Sequence, residues 1–197
     1  MRVIAGNARG QRLKAPKGNS VRPTADRVKE SLFNILAHEL SGARVLDLFA
    51  GTGNLAIEAL SRGAAHAVLV ESSKITVQWM RENIERLGLQ EKATVINAPA
   101  QRALRKQAEL RRQFDIIFLD PPYGEALVPK TLAQIAQDKI LSASGVIVAE
   151  HSVRDKVEAS YASLARSDQR RYGDTVLSFF RSNLETLSER GNLNHGQ

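Results

Sequence analysis

Residues 43–54 read ARVLDLFAGTGN, which combines a short apolar strand, a turn with two glycines and the start of a helix predicted over residues 55–62. Gly51 and Gly53 allow the backbone of this turn to approach a ligand closely at the helix N-terminus. The next predicted strand, residues 67–70, leads into Glu71, which lies 18 positions after Gly53. Nucleotide-binding folds hold ribose hydroxyls with an acidic residue at this place. The segment therefore predicts a nucleotide-like ligand at the carboxyl ends of two strands.

The alternation of strands and helices continues after Glu71 and predicts an α/β fold. We predict helices over residues 74–87, 101–112 and 127–137, and strands over residues 94–97, 115–119 and 145–150. Such alternation is typical of a doubly wound, Rossmann-like sheet in which most strands are parallel. Residues 164–171 and 175–180 predict a C-terminal hairpin that adds an antiparallel strand.

The two ends of the chain stand outside this alternation. Residues 2–4 and 11–13 predict a small β-hairpin, and apolar residues at helical spacing predict a helix over residues 25–40 with Thr24 as its N-cap. We therefore divide the chain into an N-terminal extension, residues 1–40, an α/β domain, residues 41–182, and a flexible tail, residues 183–197.

A second polar motif follows the most apolar predicted strand. The run FDIIFL at residues 114–119 is succeeded by Asp120, Pro121, Pro122 and Tyr123. The two prolines end the strand because neither can donate a ladder hydrogen bond. The Asp120 carboxylate and the Pro121 carbonyl supply two acceptors, and Tyr123 supplies a stacking ring. These groups match a planar exocyclic amine on a nucleobase, although a simple strand-ending turn is the alternative interpretation of the motif taken alone.

The charge and composition of the chain favour a nucleic-acid-binding protein without a metal site. The chain has 197 residues and a net charge of +7, and residues 1–30 hold eight basic and two acidic side chains, so the excess lies at one end. This bias favours a polyanionic partner, above all nucleic acid. The absence of cysteine and the scattered placement of four histidines speak against a metal site. Without an apolar run of about 20 residues or a signal peptide, we expect a cytoplasmic protein that does not enter the membrane.

The two motifs are expected to face one crevice. If the strand ending at Asp47 is central, the strand ending at Asp120 lies beside it across the point where strand order reverses, which is where doubly wound sheets bind ligands. The glycine spacing fits a dinucleotide fingerprint poorly, because Phe49 stands at a position that would need glycine. An acid such as Asp47 is unfavourable beside a pyrophosphate and favourable beside a cationic amino-acid group. This favours S-adenosylmethionine over NAD.

The chain resembles the class I S-adenosylmethionine-dependent methyltransferases, and within them the RsmD family, bacterial enzymes that methylate N2 of one guanine in 16S ribosomal RNA. The resemblance covers about residues 1–182, and its most specific part is RPTADRVKE at residues 22–30. The other matching segments are RVIAG at 2–6, DLFAGTG at 47–53, EALSRGA at 58–64, DPPY at 120–123 and YGDT at 172–175.

The resemblance implies a function and a set of site residues. It implies methylation of guanine N2 in small-subunit ribosomal RNA, at the position numbered 966, with bound ribosomal proteins of an assembly particle helping to present the base. For the protein itself we expect a monomer. The implied cofactor, S-adenosylmethionine, would be bound by Asp47, Phe49, Gly51, Gly53, Glu71, Asn97 and Ala98. The target base would be held by Asp120, Pro121, Pro122 and Tyr123. The charge of the N-terminal segment, with which the resemblance agrees, predicts RNA contacts by Arg2, Arg9, Arg12, Lys14, Arg22 and Arg27; the resemblance leaves the role of Arg22 open.

Three other functions stay open on the sequence. An adenine-N6 or other DNA amino-methyltransferase would use the same acid-Pro-Pro-Tyr logic, but no separate target-recognition segment follows residue 182. An NAD-dependent oxidoreductase is disfavoured by the glycine spacing and by the lack of a convincing catalytic pair. A non-catalytic RNA-binding protein of ribosome assembly is disfavoured by the intact Asp47, Gly51, Gly53, Glu71 and Asp120.

Overall fold

The computed structural model describes residues 1–15, 23–122 and 126–183, without the side chains of residues 23–25. The predictions for Arg22, Tyr123 and residues 184–197 therefore lie outside the described residues. The α-helices are α1 (Pro23–Ile35), α2 (Asn54–Ser61), α3 (Lys74–Arg86), α4 (Ala100–Glu109) and α5 (Leu127–Asp138). The strands are β1 (Arg44–Asp47), β2 (His66–Glu71), β3 (Ala93–Asn97), β4 (Phe114–Leu119), β5 (Leu141–Ser152), β6 (Ser160–Tyr161), β7 (Leu164–Tyr172) and β8 (Thr175–Ser182).

These strands form a single sheet in the order β3-β2-β1-β4-β5-β8-β7-β6. The first five strands in this order are parallel, and β8, β7 and β6 continue the sheet with antiparallel pairing. Strand order reverses between β1 and β4, where Asp47 is in register with Phe118. The predicted doubly wound sheet with a C-terminal antiparallel hairpin is confirmed, including the adjacency of the two strands that carry the polar motifs.

The central strands are buried on both faces of the sheet. Val45 of β1 and Phe118 of β4 belong to the apolar layer that contains α1, α2 and α3. Their neighbours Leu46 and Ile117 belong to the opposite layer, with α4 and α5. Successive side chains of a strand point to opposite faces, so a continuous apolar run is what a strand covered by helices on both sides requires. This two-sided cover leaves the carboxyl edge of the parallel strands as the place where a ligand can reach the sheet.

Several element boundaries differ from those predicted. Helix α1 starts at Pro23, so Thr24 lies in its first turn and is not the N-cap, and it ends at Ile35 instead of residue 40. Turn bonds from the Ala37 amide to Asn34 and from the Glu39 amide to Leu36 keep the chain coiled, which maintains helical spacing beyond the helix. Helix α4 ends at Glu109 and β5 begins at Leu141, both earlier than predicted. The short strand β6 was not predicted.

The N-terminal hairpin is a small structure that docks on the α/β domain. An antiparallel bridge joins Arg2 to Arg12, and the Val3 amide donates to the Gln11 carbonyl at 2.9 Å. Val3 and Leu13 are buried in the same apolar layer as α1 and α2. The two short β-prone pieces thus pair as predicted, and their apolar residues attach the basic segment to the domain.

None of the helices in the described part of the chain has the length and apolar character needed to cross a bilayer.

Candidate active site

The glycine turn is shaped by two residues in the left-handed region of backbone space. Gly51 has a φ of 54° and Gly53 a φ of 88°. A Cβ atom on Gly53 would lie 2.9 Å from the Ile57 side chain, whereas one on Gly51 would point into open space. Side chains are excluded from Gly53 by packing and strain, whereas Gly51 borders open space at the carboxyl edge of the parallel strands. The turn therefore presents backbone to whatever occupies that space.

Asp47 is a buried acid at the end of β1, directly before this turn. Its Oδ2 accepts a hydrogen bond from the Ala56 amide of α2 at 3.3 Å, and its Oδ1 has no hydrogen-bond partner in the described residues. Burial raises the pKa of Asp47 from 3.8 to about 7, against the opposing effect of its backbone hydrogen bonds. A buried, half-satisfied carboxylate beside a glycine turn is well suited to bind a cationic ligand group.

We expect Asp47→Asn to stabilise the unliganded protein at pH 8. The pKa of this acid is higher in the folded chain, so ionisation costs folding free energy: the cost is absent below pH 4, grows as pH rises and is complete above pH 7. Removing the charge should raise the free energy of unfolding by roughly 1–3 kcal/mol at pH 8 and by less than half as much at pH 5. Chemical denaturation at the two pH values measures both gains. A loss of stability at pH 8 would contradict this account of Asp47.

Glu71, at the end of β2, links the glycine turn to the start of α3. Its Oε2 accepts from the Gly51 amide at 3.1 Å, and its Oε1 accepts from the Ser73 amide at 2.7 Å. These bonds hold the carboxylate at the carboxyl edge of the sheet and leave further lone pairs for a ligand, since an ionised carboxylate has about four acceptor sites. Glu71 thus lies at the end of the second strand, the position at which the sequence predicts a ribose-binding acid.

Asn97 and Ala98 follow β3 and are tied to the same corner. The Asn97 side-chain amide donates to the carbonyls of Glu71 and Ser72 at 2.9 and 3.0 Å, and the Ala98 amide donates to the Glu71 carbonyl at 3.2 Å. Both donors thus brace the end of β2. A groove of about 590 Å³ opens beside Ile96, Asn97 and Ala98. Because the Asn97 side-chain amide and the Ala98 backbone amide already bind the end of β2, the predicted adenine contact would use other atoms of these two residues.

Phe49 is half-buried and packs against the apolar layer that contains α4 and α5. A direct contact of Phe49 with a cofactor stays a prediction.

Asp120 lies at the end of β4, across the strand-order reversal from Asp47. Burial raises the pKa of Asp120 above its ordinary value, and the negative charges of Glu150 and, to a smaller extent, Asp47 raise it further. Asp120 keeps an exposed side, and water on that side weakens the contribution of burial. Pro121 is buried and Pro122 is exposed. The structure thus brings the two predicted acids, Asp47 and Asp120, to one end of two adjacent strands.

The predicted RNA-binding residues within the described chain are exposed: Arg2, Arg9, Arg12, Lys14 and Arg27. Lys14 forms an ion pair with Glu82 at 2.8 Å, and Arg2 lies 4.0 Å from Asp26. The basic segment also reaches the glycine turn, because Asn83 of α3 donates to the carbonyls of both Lys14 and Thr52. The Lys14 end of the basic hairpin is therefore attached beside the glycine turn, whereas its tip bonds Ser61 at the C-terminal end of α2.

Sequence reasoning missed a buried ionic cluster that joins the hairpin to α2. Glu58 accepts from the amides of Ile4 and Ala5 at 2.8 and 3.0 Å and pairs with Arg62 and Lys29. Burial lowers the pKa of Lys29, against the raising effect of Glu58. Lys29 also donates to Asn54, the first residue of α2, at 2.9 Å. The available signal was a charged residue on an otherwise apolar helix face: Lys29 lies one turn from Leu32 and Phe33, and Glu58 lies one turn from Leu55.

The arrangement fits S-adenosylmethionine as a ligand. The orphaned Asp47 Oδ1 can accept from an ammonium group, the Gly51 backbone borders open space, and Glu71 can accept from ribose hydroxyls. No group of three metal-binding side chains occurs within residues 1–15, 23–122 and 126–183.

Comparison with known proteins identifies the family of this chain. A family model described as conserved hypothetical protein 95 matches residues 1–181. The chain is 37% identical over 155 residues to ribosomal RNA small subunit methyltransferase D of Escherichia coli strain K12, with 79% of this chain and 76% of that one covered. The chain belongs to this family, the RsmD family.

Further relatives of the family extend the match over almost the whole chain. YlbH of Bacillus subtilis is 40% identical over 181 residues, which cover 92% of this chain and 98% of that one. Among solved structures, yhhF of Escherichia coli is 32% identical with a TM-score of 0.82, and the match covers 92% of this chain and 97% of that one. The family recognised from the sequence motifs is thereby confirmed.

Proposed function

We propose that this protein transfers a methyl group from S-adenosylmethionine to the exocyclic N2 of one guanine in small-subunit 16S ribosomal RNA. The observation that carries the proposal is the meeting of Asp47 and the glycine turn with Asp120 across the reversal of strand order, where Asp47 is in register with Phe118. A cofactor on the first side and an amine on the second would lie within reach of each other. Family membership supports rRNA methylation, because the Escherichia coli relative is named as a small-subunit rRNA methyltransferase.

Asp120 and Pro121 would act on the amine. When bound, S-adenosylmethionine supplies the methyl group, whose bond to sulfur breaks as a bond to N2 forms. The Asp120 carboxylate and the Pro121 carbonyl would each accept one N2 hydrogen bond, which turns the nitrogen lone pair toward the crevice. Asp120, or water reached through its exposed side, would take the proton that N2 releases. The raised pKa of Asp120 makes its carboxylate a stronger base for that step.

Asp47, Gly51 and Glu71 would hold the cofactor. Asp47 would bind its ammonium group, the Gly51 backbone would border it, and Glu71 would accept from its ribose hydroxyls. Asn97 and Ala98 would border its adenine, and Tyr123 would stack on the target base after the base leaves its own stack.

The basic hairpin would hold the RNA backbone. Exposed Arg12 lies near the end of the hairpin that Asn83 ties to the glycine turn, and exposed Arg9 lies at its tip, where Ala8 bonds Ser61 at the far end of α2. The two cations would therefore contact phosphates at increasing distance from the flipped base. A domain of this size has little surface with which to choose one guanine, so we infer that the substrate is an assembly particle and that the enzyme acts in the cytoplasm as a monomer.

We expect the double variant Arg9→Ala, Arg12→Ala to bind small-subunit ribosomal RNA with a weaker salt dependence. Each lost phosphate contact should reduce the slope of log affinity against log salt by about 0.7–0.9. Filter binding between 50 and 300 mM salt measures the slope. Lys92→Ala, which removes an exposed cation from the turn before β3, serves as the control. An unchanged slope in the double variant would count against an RNA-binding hairpin.

The proposed reaction is tested by transfer of radiolabelled methyl from S-adenosylmethionine to three substrates: particles from cells that lack the protein, naked 16S RNA, and duplex DNA. Label confined to guanosine of the particles is the expected result. Label in adenine of DNA would replace the proposal with an adenine-N6 methyltransferase, and no label in any substrate would favour a non-catalytic RNA-binding role.

A further inference from the structure

Glu150 on β5 stands beside Asp120 at the carboxyl edge of the sheet. Strands β4 and β5 are parallel, and Leu119 is in register with Ala149. Asp120 directly follows Leu119, and Glu150 directly follows Ala149, so the two acids are the next residues after this register pair. Neighbouring strands are about 4.8 Å apart, so the two backbones bring these acids close together at the mouth of the crevice.

The two acids also point to the same face of the sheet. Phe118 and Val148 are register partners that lie in the apolar layer containing α1, α2 and α3. Side chains two positions further along a strand share that face, which assigns it to Glu150 of β5. Asp120 directly follows β4 and precedes Pro121, which favours extended backbone at Asp120 and so the same face. His151 shows the opposite orientation, because it is buried and its ring nitrogen lies 2.9 Å from the Ser178 hydroxyl.

Asp47 belongs to the same set. It follows Val45 by two positions on β1, and Val45 lies in the same apolar layer. Three acids on three adjacent strands, Asp47, Asp120 and Glu150, therefore share one face and one edge of the sheet. Asp47 is buried, whereas Asp120 is exposed and Glu150 is half-buried. The latter two are the acids that a large planar ligand entering from solvent can touch.

A pair of carboxylates matches guanine better than adenine. The Watson–Crick edge of guanine presents the N1–H donor directly beside the N2 amino donors. Adenine presents an acceptor at N1 beside its amino group. Ionised carboxylates accept hydrogen bonds and cannot donate them, so two of them side by side can read two adjacent donors on a flipped base.

We propose that Glu150 is a specificity-determining residue: its carboxylate accepts a hydrogen bond from N1–H of the target guanine, while Asp120 accepts one from the N2 amine. This inference rests on the proposed guanine-N2 function and adds the group that selects the base. Two neighbouring carboxylates repel each other, as the effect of Glu150 on Asp120 indicates. Guanine offsets this repulsion because it places two hydrogen-bond donors against the two carboxylates. A base with a lone pair at N1 would instead face Glu150 with a second acceptor and increase the repulsion. The carboxylate pair would thereby reject the wrong base.

The test compares guanine with 2-aminopurine at the target nucleotide of reconstituted small-subunit particles. 2-Aminopurine keeps the N2 amine but carries no proton at N1. We expect the wild-type protein to prefer guanine by about 10- to 100-fold in kcat/KM, the range of one lost hydrogen bond to a charged group. Glu150→Ala should lower the rate on guanine, because the N1–H acceptor is gone, and should not lower the rate on 2-aminopurine, because a repelling carboxylate is gone, so the preference falls to about one or below.

Two further variants separate recognition from structure. Glu150→Gln keeps an acceptor oxygen without the charge and should recover part of the preference. Glu91→Gln changes an exposed acid in the turn before β3 and should leave the preference at the wild-type value. Binding of S-adenosylhomocysteine to each variant, measured by calorimetry, reports an intact fold.

An equal loss by Glu150→Ala on both bases would overturn the inference, because a merely structural residue lowers both rates together. Failure of the proposed function has a different signature. In that case the wild-type protein would not methylate N2 of guanine in the same particles.

Discussion

Asp120→Ala should lower kcat for methyl transfer by about 10²–10⁴-fold while the affinity for S-adenosylhomocysteine changes less than threefold. The expected loss is the usual contribution of a positioned acid–base group. Asp120 lies at the end of β4, on the far side of the strand-order reversal from the glycine turn, so its removal should spare the cofactor pocket. Single-turnover transfer to particles at saturating S-adenosylmethionine measures the rate, and calorimetry measures the affinity.

Asp120→Asn is the matched variant for this prediction. Asparagine keeps an acceptor oxygen for the N2 hydrogen bond but is no longer a base, so an intermediate rate is expected. A rate for Asp120→Ala within threefold of wild type would show that Asp120 does not orient the amine. An equally large loss of S-adenosylhomocysteine affinity would instead place Asp120 in the cofactor site.

Glu71→Ala should have the complementary effect and weaken S-adenosylmethionine binding by about 10- to 100-fold, since hydrogen bonds to a charged group are each worth about 1.5–3 kcal/mol. The same carboxylate holds the amides of Gly51 and Ser73, so its loss also loosens the turn. We expect KM for S-adenosylmethionine to rise with a smaller change in kcat. Equilibrium dialysis and steady-state kinetics measure the two effects.

Glu85→Ala is the control for Glu71→Ala. Glu85 is an exposed acid on α3, away from the carboxyl edge of the sheet, and its removal should leave S-adenosylmethionine affinity unchanged. Equal affinities for wild type and Glu71→Ala would rule out the ribose role and would leave Glu71 as a brace for the turn.

The arrangement of the central sheet was predictable from local sequence. Strands β1 and β4 are apolar on both faces and are each followed by a polar motif, so helices must cover them on both sides. The doubly wound topology then places these two strands next to each other. The meeting of Asp47 with Asp120 follows from that topology alone. The glycine turn was predictable for the same kind of reason, because left-handed backbone at Gly51 and Gly53 restricts the residue type.

Features that depend on long-range pairing were not predictable in this way. The buried ionic cluster joins Glu58 to the amides of Ile4 and Ala5, which lie 54 and 53 residues away. Its Lys29 comes from a third segment of the chain. The neighbour relation of Glu150 and Asp120 depends on the register of β4 with β5, which the bulge between Phe114 and Ile116 shifts. Local patterns identify strands, but a register shift of one residue exchanges the faces to which side chains point.

The most direct test of the central claim is nucleoside mass analysis of small-subunit RNA from a strain that lacks this protein, complemented with the wild-type chain or with Asp120→Ala. We predict that N2-methylguanosine disappears from one site in the deletion strain, returns with the wild-type chain and does not return with the variant. An unchanged level of N2-methylguanosine in the deletion strain would contradict the account.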